Sequence, residues 1–236
     1  MVPAQLAKAR GFVPILAPLQ QMTPLNNAGD WMSAGALAFT SANGVRALFS
    51  GGEGDGQEEA QAQRFQGPVF CVGPATAAAA RATGFQFVHE GDGGVDELAQ
   101  TIFAFARQSP IKGEIYHFSG VVRAGDLSAS LVGGGLPACN IAIYEMTPLA
   151  DLPAAITDML ANQSAEPSRI WAAFFSGRSA ALFLSLIDAC GLEGEISSIN
   201  AVCISDNVAQ SIAERHWRSV AVASVPTAQG VINAIG

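Results

Sequence analysis

One short phrase is written twice in this chain, and that repetition limits the possible folds more than any other feature. Residues 38–49 read AFTSANGVRALF and residues 173–184 read AFFSGRSAALFL. An apolar run that feeds into Ser, Asn or Gly, and then into an Ala/Leu/Val-rich periodic segment, spells a strand, a tight turn carrying N-cap residues, and a helix. The repetition runs on. VFCVGPATAAAARATGFQFV at 69–88 is answered by AVCISDNVAQSIAERHWRSVAV at 201–222, with Gly73 and Ser205 in equivalent turns. GGVDELAQTIFAFA at 93–106 is answered by PTAQGVINAIG at 226–236, an amphipathic helix closing each copy. Upstream of both, AQLAKARGFVPILAPLQQMTPL at 4–25 matches DLSASLVGGGLPACNIAIYEMTPL at 126–149, each a helix, a Gly-containing stop and an extended run ended by proline.

A duplicated unit of alternating strands and helices is the pattern of a parallel sheet covered on both faces. The expected fold class is therefore α/β, in two units. At 236 residues the chain has room for one large domain or two near the commonest domain size. One position of the alignment is unmatched. IYHFSGVVRA at 115–124 supplies a strand and turn ahead of the helix at 126, and the offset between the two MTPL tetrapeptides puts its counterpart before Met1. Either the chain is shortened at its N-terminus or one sheet is built without a strand that the other has. GGEGDGQEEAQAQRFQG at 51–67 fits neither a helix face nor a strand and reads as a surface loop.

The turns after the strands are where chemistry is expected. In a parallel α/β sheet the ligand crevice lies beyond the carboxyl ends of the strands. Those turns are FTSANG (39–44), VGPAT (72–76), FSGVVR (118–123), FFSGRS (174–179) and ISDN (204–207). Amide hydrogens there, backed by the positive ends of helix dipoles, bind carboxylate or phosphate without lysines. This matters because the net charge is −8 and no Lys/Arg-rich block exists, which argues against nucleic acid or an anionic membrane as partner. The candidate binding residues are Thr40, Ser41, Asn43, Gly73, Thr76, Ser119, Gly120, Arg123, Ser176, Gly177, Arg178 and Ser205. The same residue types cap helices in any fold, and isolated arginines commonly pair with surface acids.

Other chemistries lose their footing. The glycine clusters do not follow a strand in GxGxxG or GxxxxGK[ST] order, so nucleotide fingerprints are absent. Cys71, Cys139, Cys190 and Cys203 show no CxxC spacing, and reduced thiols are expected rather than a zinc site or disulfides. His89, His117 and His216 have no partner at ligand spacing, so surface or turn histidines and no metal site are expected. No serine lies in a GxSxG elbow. No apolar run reaches the roughly 18 residues of a membrane span, and the N-terminus lacks a signal-peptide pattern, so a cytoplasmic protein is expected. Tyr144 lies in NIAIYEMTP, an extended segment expected to join the two units; its ring is either packing or brings a hydroxyl beside a cleft.

FTSANGVRAL, CVGPATAAAARATGF, IAIYEMTPL and VASVPTAQGVINAI together resemble the uroporphyrinogen-III synthase family, in the family's order and over nearly the whole chain. The resemblance implies two flavodoxin-like doubly wound parallel-sheet domains joined by a two-stranded connector. The inserted domain would be 26–149, the other 1–25 with 150–236, and the connecting strands about 15–25 and 139–149. It implies a lyase that closes hydroxymethylbilane, a linear tetrapyrrole with eight carboxylates, to uroporphyrinogen III with inversion of the last ring. No cofactor follows from that scheme, and a monomer is expected. Tyr144 matches the connector tyrosine that assists hydroxyl departure, and Thr76 matches the threonine of the GPAT turn. Where the family commonly has a second GP[ATS]T turn, this chain has ISDNV at 204–208. A non-catalytic two-domain ligand-binding protein, and a relative retaining the fold as a partner-binding protein, are the alternatives.

Overall fold

A computed structural model describes residues 3–50, 57–123, 125–161 and 170–235. The chain divides into two compact units, one of residues up to Gln21 together with residues from Pro148 onward, the other Met22–Thr147. The continuous unit is built on β1 (Gln20–Pro24), β2 (Ala36–Phe39), β3 (Val69–Cys71), β4 (Val88–Glu90), β5 (Ile115–Gly120) and β6 (Ala138–Pro148), in the order β1-β6-β5-β2-β3-β4. Strands β2 to β6 pair in parallel. Counted from β5, the order β6-β5-β2-β3-β4 is the flavodoxin-like 2-1-3-4-5 arrangement, begun at its third strand. β1 is antiparallel to β6, as the amide bonds Leu25 to Ile143 O and Leu149 to Leu19 O show. The chain passes between the units inside these two strands.

Period-2 alternation decides what each face of this sheet buries. Leu37, Phe39, Val69, Cys71 and Phe118 share a core with Val45, Ala47 and Phe49 of α2 (Ala42–Phe49), Ala62 of α3 (Gln57–Arg64), and Ala77 and Ala80 of α4 (Pro74–Ala82). Trp31 stands among Phe49, Phe65 and Phe85, with ring centroids 5.8 to 6.0 Å away, close enough for edge-to-face and tilted contacts. Ala36, Ala38, Phe70 and Ile115 point to the opposite face. There they meet Leu98, Ala99 and Ile102 of α5 (Val95–Gln108) and Leu127 and Leu131 of α6 (Leu127–Gly133).

The discontinuous unit has α1 (Pro3–Ala9), α7 (Ala154–Ala161), β7 (Trp171–Phe174), α8 (Gly177–Ala189), β8 (Asn200–Cys203), α9 (Asp206–Gln210), β9 (Ser219–Val222) and α10 (Ala228–Asn233). Its parallel sheet runs β7-β8-β9. Ala201 and Cys203 bury against Leu152, Ile156, Phe183 and Ile187 on one face, while Val202 buries against Ala7, Val231 and Ile232 on the other. Both sheets are thus doubly wound.

Three expectations need correction. The end of the segment taken as a loop at 51–67 is helix α3, which buries Ala62 completely and sets Phe65 in the aromatic cluster; residues 51–56 lie outside the described residues. The connector expected over 15–25 becomes a strand only at Gln20. His117 is no surface or turn histidine: it lies on β5 with 1% of its surface exposed. Its ring sits on the face that α5 and α6 cover, opposite that of Phe118. All four cysteines are free; Cys71 and Cys203 are buried, Cys139 is half-buried and Cys190 is exposed.

Candidate functional site

Parallel pairing brings the carboxyl ends of β5, β2 and β3 side by side, and with them three of the turns singled out above. At the end of β2, Ser41 caps α2 by accepting the Asn43 amide hydrogen on Oγ at 3.1 Å, and its carbonyl accepts the Gly44 amide. The side chain of Asn43 is held between Arg46, which donates to its Oδ1 at 3.0 Å, and Met146 Sδ at 3.4 Å. Gly44 allows close packing here: a Cβ on it would lie 3.2 Å from the Phe118 carbonyl oxygen. The β2 turn is therefore seated against β5 and reaches β6.

At the end of β3 the cap is different. Gly73 occupies the N-cap of α4 with no side chain to bond the first turn, and Pro74 follows at a position where no amide hydrogen is needed. Among the described residues, the amides of Ala75 and Thr76 have no acceptor. A nine-residue helix thus presents unpartnered donors at its positive end, the arrangement that favours an anionic oxygen. The Thr76 side chain itself is buried, 5% exposed.

At the end of β5, Ser119 is buried and donates its hydroxyl to the Gly120 carbonyl. Arg123 is exposed and 3.5 Å from Asp126, which caps α6. The Ala129 amide and the Ser128 hydroxyl, both bonded to Asp126, hold its carboxyl below the usual range. Gly120 lies opposite Tyr144 where the β5–β6 register shifts, and a Cβ on it would come within 2.9 Å of the Tyr144 ring and 3.2 Å of its hydroxyl oxygen. The bare glycine is what leaves room for that ring beside the strand. Tyr144 is 7% exposed and packs with Phe39, Phe118 and Ile143. Its hydroxyl has no hydrogen-bond partner among the described residues, yet it is not among their fully buried unpartnered polar atoms, so it keeps access to solvent. Val121, Val122 and Met146 add exposed apolar surface beside it.

Behind this row, Thr40 Oγ1 lies 3.1 Å from His117 Nε2. Burial, with the charge of Arg123 adding to it, brings the His117 imidazole down to about 4, so the ring is neutral near pH 7. His117 is the polar residue sequence reasoning passed over. Its one signal was a titratable side chain inside a strand flanked on both sides.

The other unit carries its own pair of turns. Ser176 caps α8 through the Ser179 amide at 3.1 Å, with Gly177 and Arg178 following. Arg178 is exposed. Ser205 at the N-cap of α9 makes no side-chain cap bond, and the exposed Asp206 puts a negative charge in that first turn. A second anion site built like the Gly73 turn is disfavoured there by the carboxylate. Among the described residues no group of His, Cys, Asp and Glu is arranged to hold a metal ion, and no helix is long and apolar enough to cross a membrane.

The profile of the family described as uroporphyrinogen-III synthase HemD matches residues 2–233. The solved uroporphyrinogen-III synthetase of Helicobacter pylori is similar in fold, with a TM-score of 0.61 at 17% identity over 94% of this chain and 91% of that one. A mutant uroporphyrinogen-III synthase from Thermus thermophilus aligns at a TM-score of 0.42 and 17% identity over 92% of this chain and 86% of that one. No curated protein matches.

Proposed function

The chain belongs to the uroporphyrinogen-III synthase family, cyclising lyases of tetrapyrrole biosynthesis, and on that premise we propose that the turns ending β5, β2 and β3 hold the substrate while Tyr144 assists its reaction. The observation that carries this reading is the unpartnered, solvent-reaching hydroxyl of Tyr144, braced over Gly120 beside those turns. In the family's reaction, hydroxymethylbilane loses its hydroxyl, inverts its last pyrrole through a spiro intermediate and closes to uroporphyrinogen III.

The chemistry asks little covalent work of the protein. A pyrrole nitrogen lone pair expels the hydroxyl, and the Tyr144 O–H donates a hydrogen bond to the departing oxygen as charge gathers on it. Ring closure then needs the substituted carbon of the last ring to meet the reactive terminus in place of the free one. That is positional control, worth several kcal/mol where the reacting atoms are held in line. The free amides of Ala75 and Thr76 suit one carboxylate, and Ser41, Asn43 and Arg123 line neighbouring positions. Val121, Val122 and Met146 offer apolar surface to pyrrole faces. We extend the same proposal to Thr40, Gly73, Ser119, Gly120, Ser176, Gly177, Arg178 and Ser205 as members of the substrate-binding set. The protein is read as a cytoplasmic monomer that does not bind nucleic acid, in keeping with a net charge of −8.

The test is the isomer made. Purified protein given hydroxymethylbilane should yield the type III ring; a product ratio equal to that of the uncatalysed reaction refutes the reading. Tyr144→Phe should lower kcat by about tenfold to a hundredfold, the scale of one lost transition-state hydrogen bond. Unchanged kinetics would remove Tyr144 from the mechanism.

A further inference from the structure

Two polar atoms are buried without a partner among the described residues, His117 Nδ1 and Asn140 Oδ1. They are neighbours. His117 on β5 is the register partner of Asn140 on β6, and both side chains fall on the face of the sheet that carries Ile115 and Ala138. A buried polar atom left unbonded forfeits its hydration without return, so two on adjacent strands call for a common explanation.

The chemistry of the pair narrows the choice. Asn140 Oδ1 is an acceptor only. If His117 Nδ1 is also an acceptor, one water molecule donating both its hydrogens satisfies the two atoms at once. The imidazole hydrogen then sits on Nε2 and is donated to Thr40 Oγ1, 3.1 Å away. In the other tautomer Nδ1–H donates to the water, which gives one hydrogen to Asn140 Oδ1 and is left with a second that finds no unpartnered acceptor, a costlier orphan than a bare lone pair, and Nε2 takes the hydrogen of the Thr40 hydroxyl. The two tautomers present opposite faces of Thr40 to the outside. In the first, Thr40 has its own hydrogen free to donate; in the second it offers lone pairs, which repel a carboxylate.

We propose that a buried water bridges His117 Nδ1 and Asn140 Oδ1, fixes His117 as the Nε2–H tautomer, and so turns Thr40 into a hydrogen-bond donor toward a carboxylate of the substrate. This rests on the reading of Thr40 as a substrate-binding residue. His117 and Asn140 are positioning residues: neither touches substrate. A neutral ring is required, and burial keeps it so near pH 7. The half-buried Thr40, at the carboxyl end of β2, is the outer end of a chain of hydrogen bonds that starts inside the sheet.

The tautomer can be read directly, without turnover. Long-range proton–nitrogen NMR of the full-length, nitrogen-15-labelled protein at pH 7 should show the His117 ring carrying its hydrogen on Nε2, with H117Q identifying the signals by their loss. A hydrogen on Nδ1 overturns the proposal. Kinetics with hydroxymethylbilane give the second arm. T40V should raise KM about tenfold with kcat changed far less, and H117L should do the same. H117Q keeps an amide donor where Nε2 stood and should recover most of what H117L loses. Equal KM values for H117L and H117Q overturn it, whatever the stability of either variant. A wild-type protein that forms no type III isomer refutes the functional reading instead, and leaves the tautomer result standing.

Discussion

Strands β2 and β7 carry nearly the same word, ALAF and WAAF, yet sit at different depths. Every residue of β2 is wholly buried, because β5 and β3 flank it and helices cover both its faces. In β7 only Phe174 is buried, Trp171 and Ala172 are half-buried and Ala173 is exposed. Among the described residues β7 pairs with β8 alone. The local phrase therefore decides strand, turn and helix, while the neighbouring strands decide how much of the phrase leaves water. It follows that equivalent changes in the two copies should differ in cost.

The deepest pair gives the largest contrast. Phe39→Ala should destabilise the continuous unit by about 4 kcal/mol, since Phe39 is fully buried between Phe85 and Phe118. Phe174→Ala should cost the other unit about 3 kcal/mol, since Phe174 is 5% exposed and its ring neighbour Trp217 is only partly buried and can shift toward the gap. Urea unfolding followed by hydrogen exchange in peptides of each unit would compare them; equal losses would break the argument from flanking strands.

Acid should separate the units next. The folded pKa of His117 lies at about 4, below its ordinary 6.5, so the unfolded chain binds the extra proton first. Stability is fully present above about pH 6.5 and falls as pH drops toward 4, by about 3 kcal/mol in the continuous unit. His89, also lowered by burial, acts in the same direction and the same unit. His117→Gln should flatten most of this acid slope in hydrogen exchange measured from pH 7 to 4. A slope that survives the substitution would assign it to other groups.

The smallest contrast is between two glycines, one in each unit, that follow a serine at the end of a strand. Gly120→Ala must push into the Tyr144 ring, 2.9 Å from the new carbon, at about 1 to 3 kcal/mol. At Gly177 the nearest atom would be Ser211 Oγ at 3.6 Å, ordinary contact at a helix start, so Gly177→Ala should be neutral or stabilising by about 0.5 kcal/mol. Thermal denaturation of the two variants checks the sign of each, and a stable Gly120→Ala would show that the ring is free to move aside.

Much of the architecture was legible because strand, cap and helix are each announced within a dozen residues. Ser41 and Ser176 read as caps and are caps, with bonds to amides two and three residues on. Helix α3 escaped because QEEAQAQR has a single apolar inward residue type, alanine, and its support comes from Phe65 beyond its end and a Glu59–Gln63 bond along its surface. His117 escaped for a related reason. A strand covered on both faces shows no polar face against which an odd residue stands out, so burial of the histidine was decided by α5 and α6, far away in sequence. The Gly73 turn was legible as a motif, but its open amides were not, since they depend on what the side chain of residue 73 lacks.

The first helix has a late appointment. α1 packs against α10, and Arg10 donates to Asn233 Oδ1 at 2.9 Å, across 223 positions of chain. During synthesis α1 leaves the ribosome before all its partners and must wait for the last of them, while Met22–Thr147 already has everything it needs to close. An order of assembly is thus written into the chain's path: the interrupted half can finish only once the continuous half has been made.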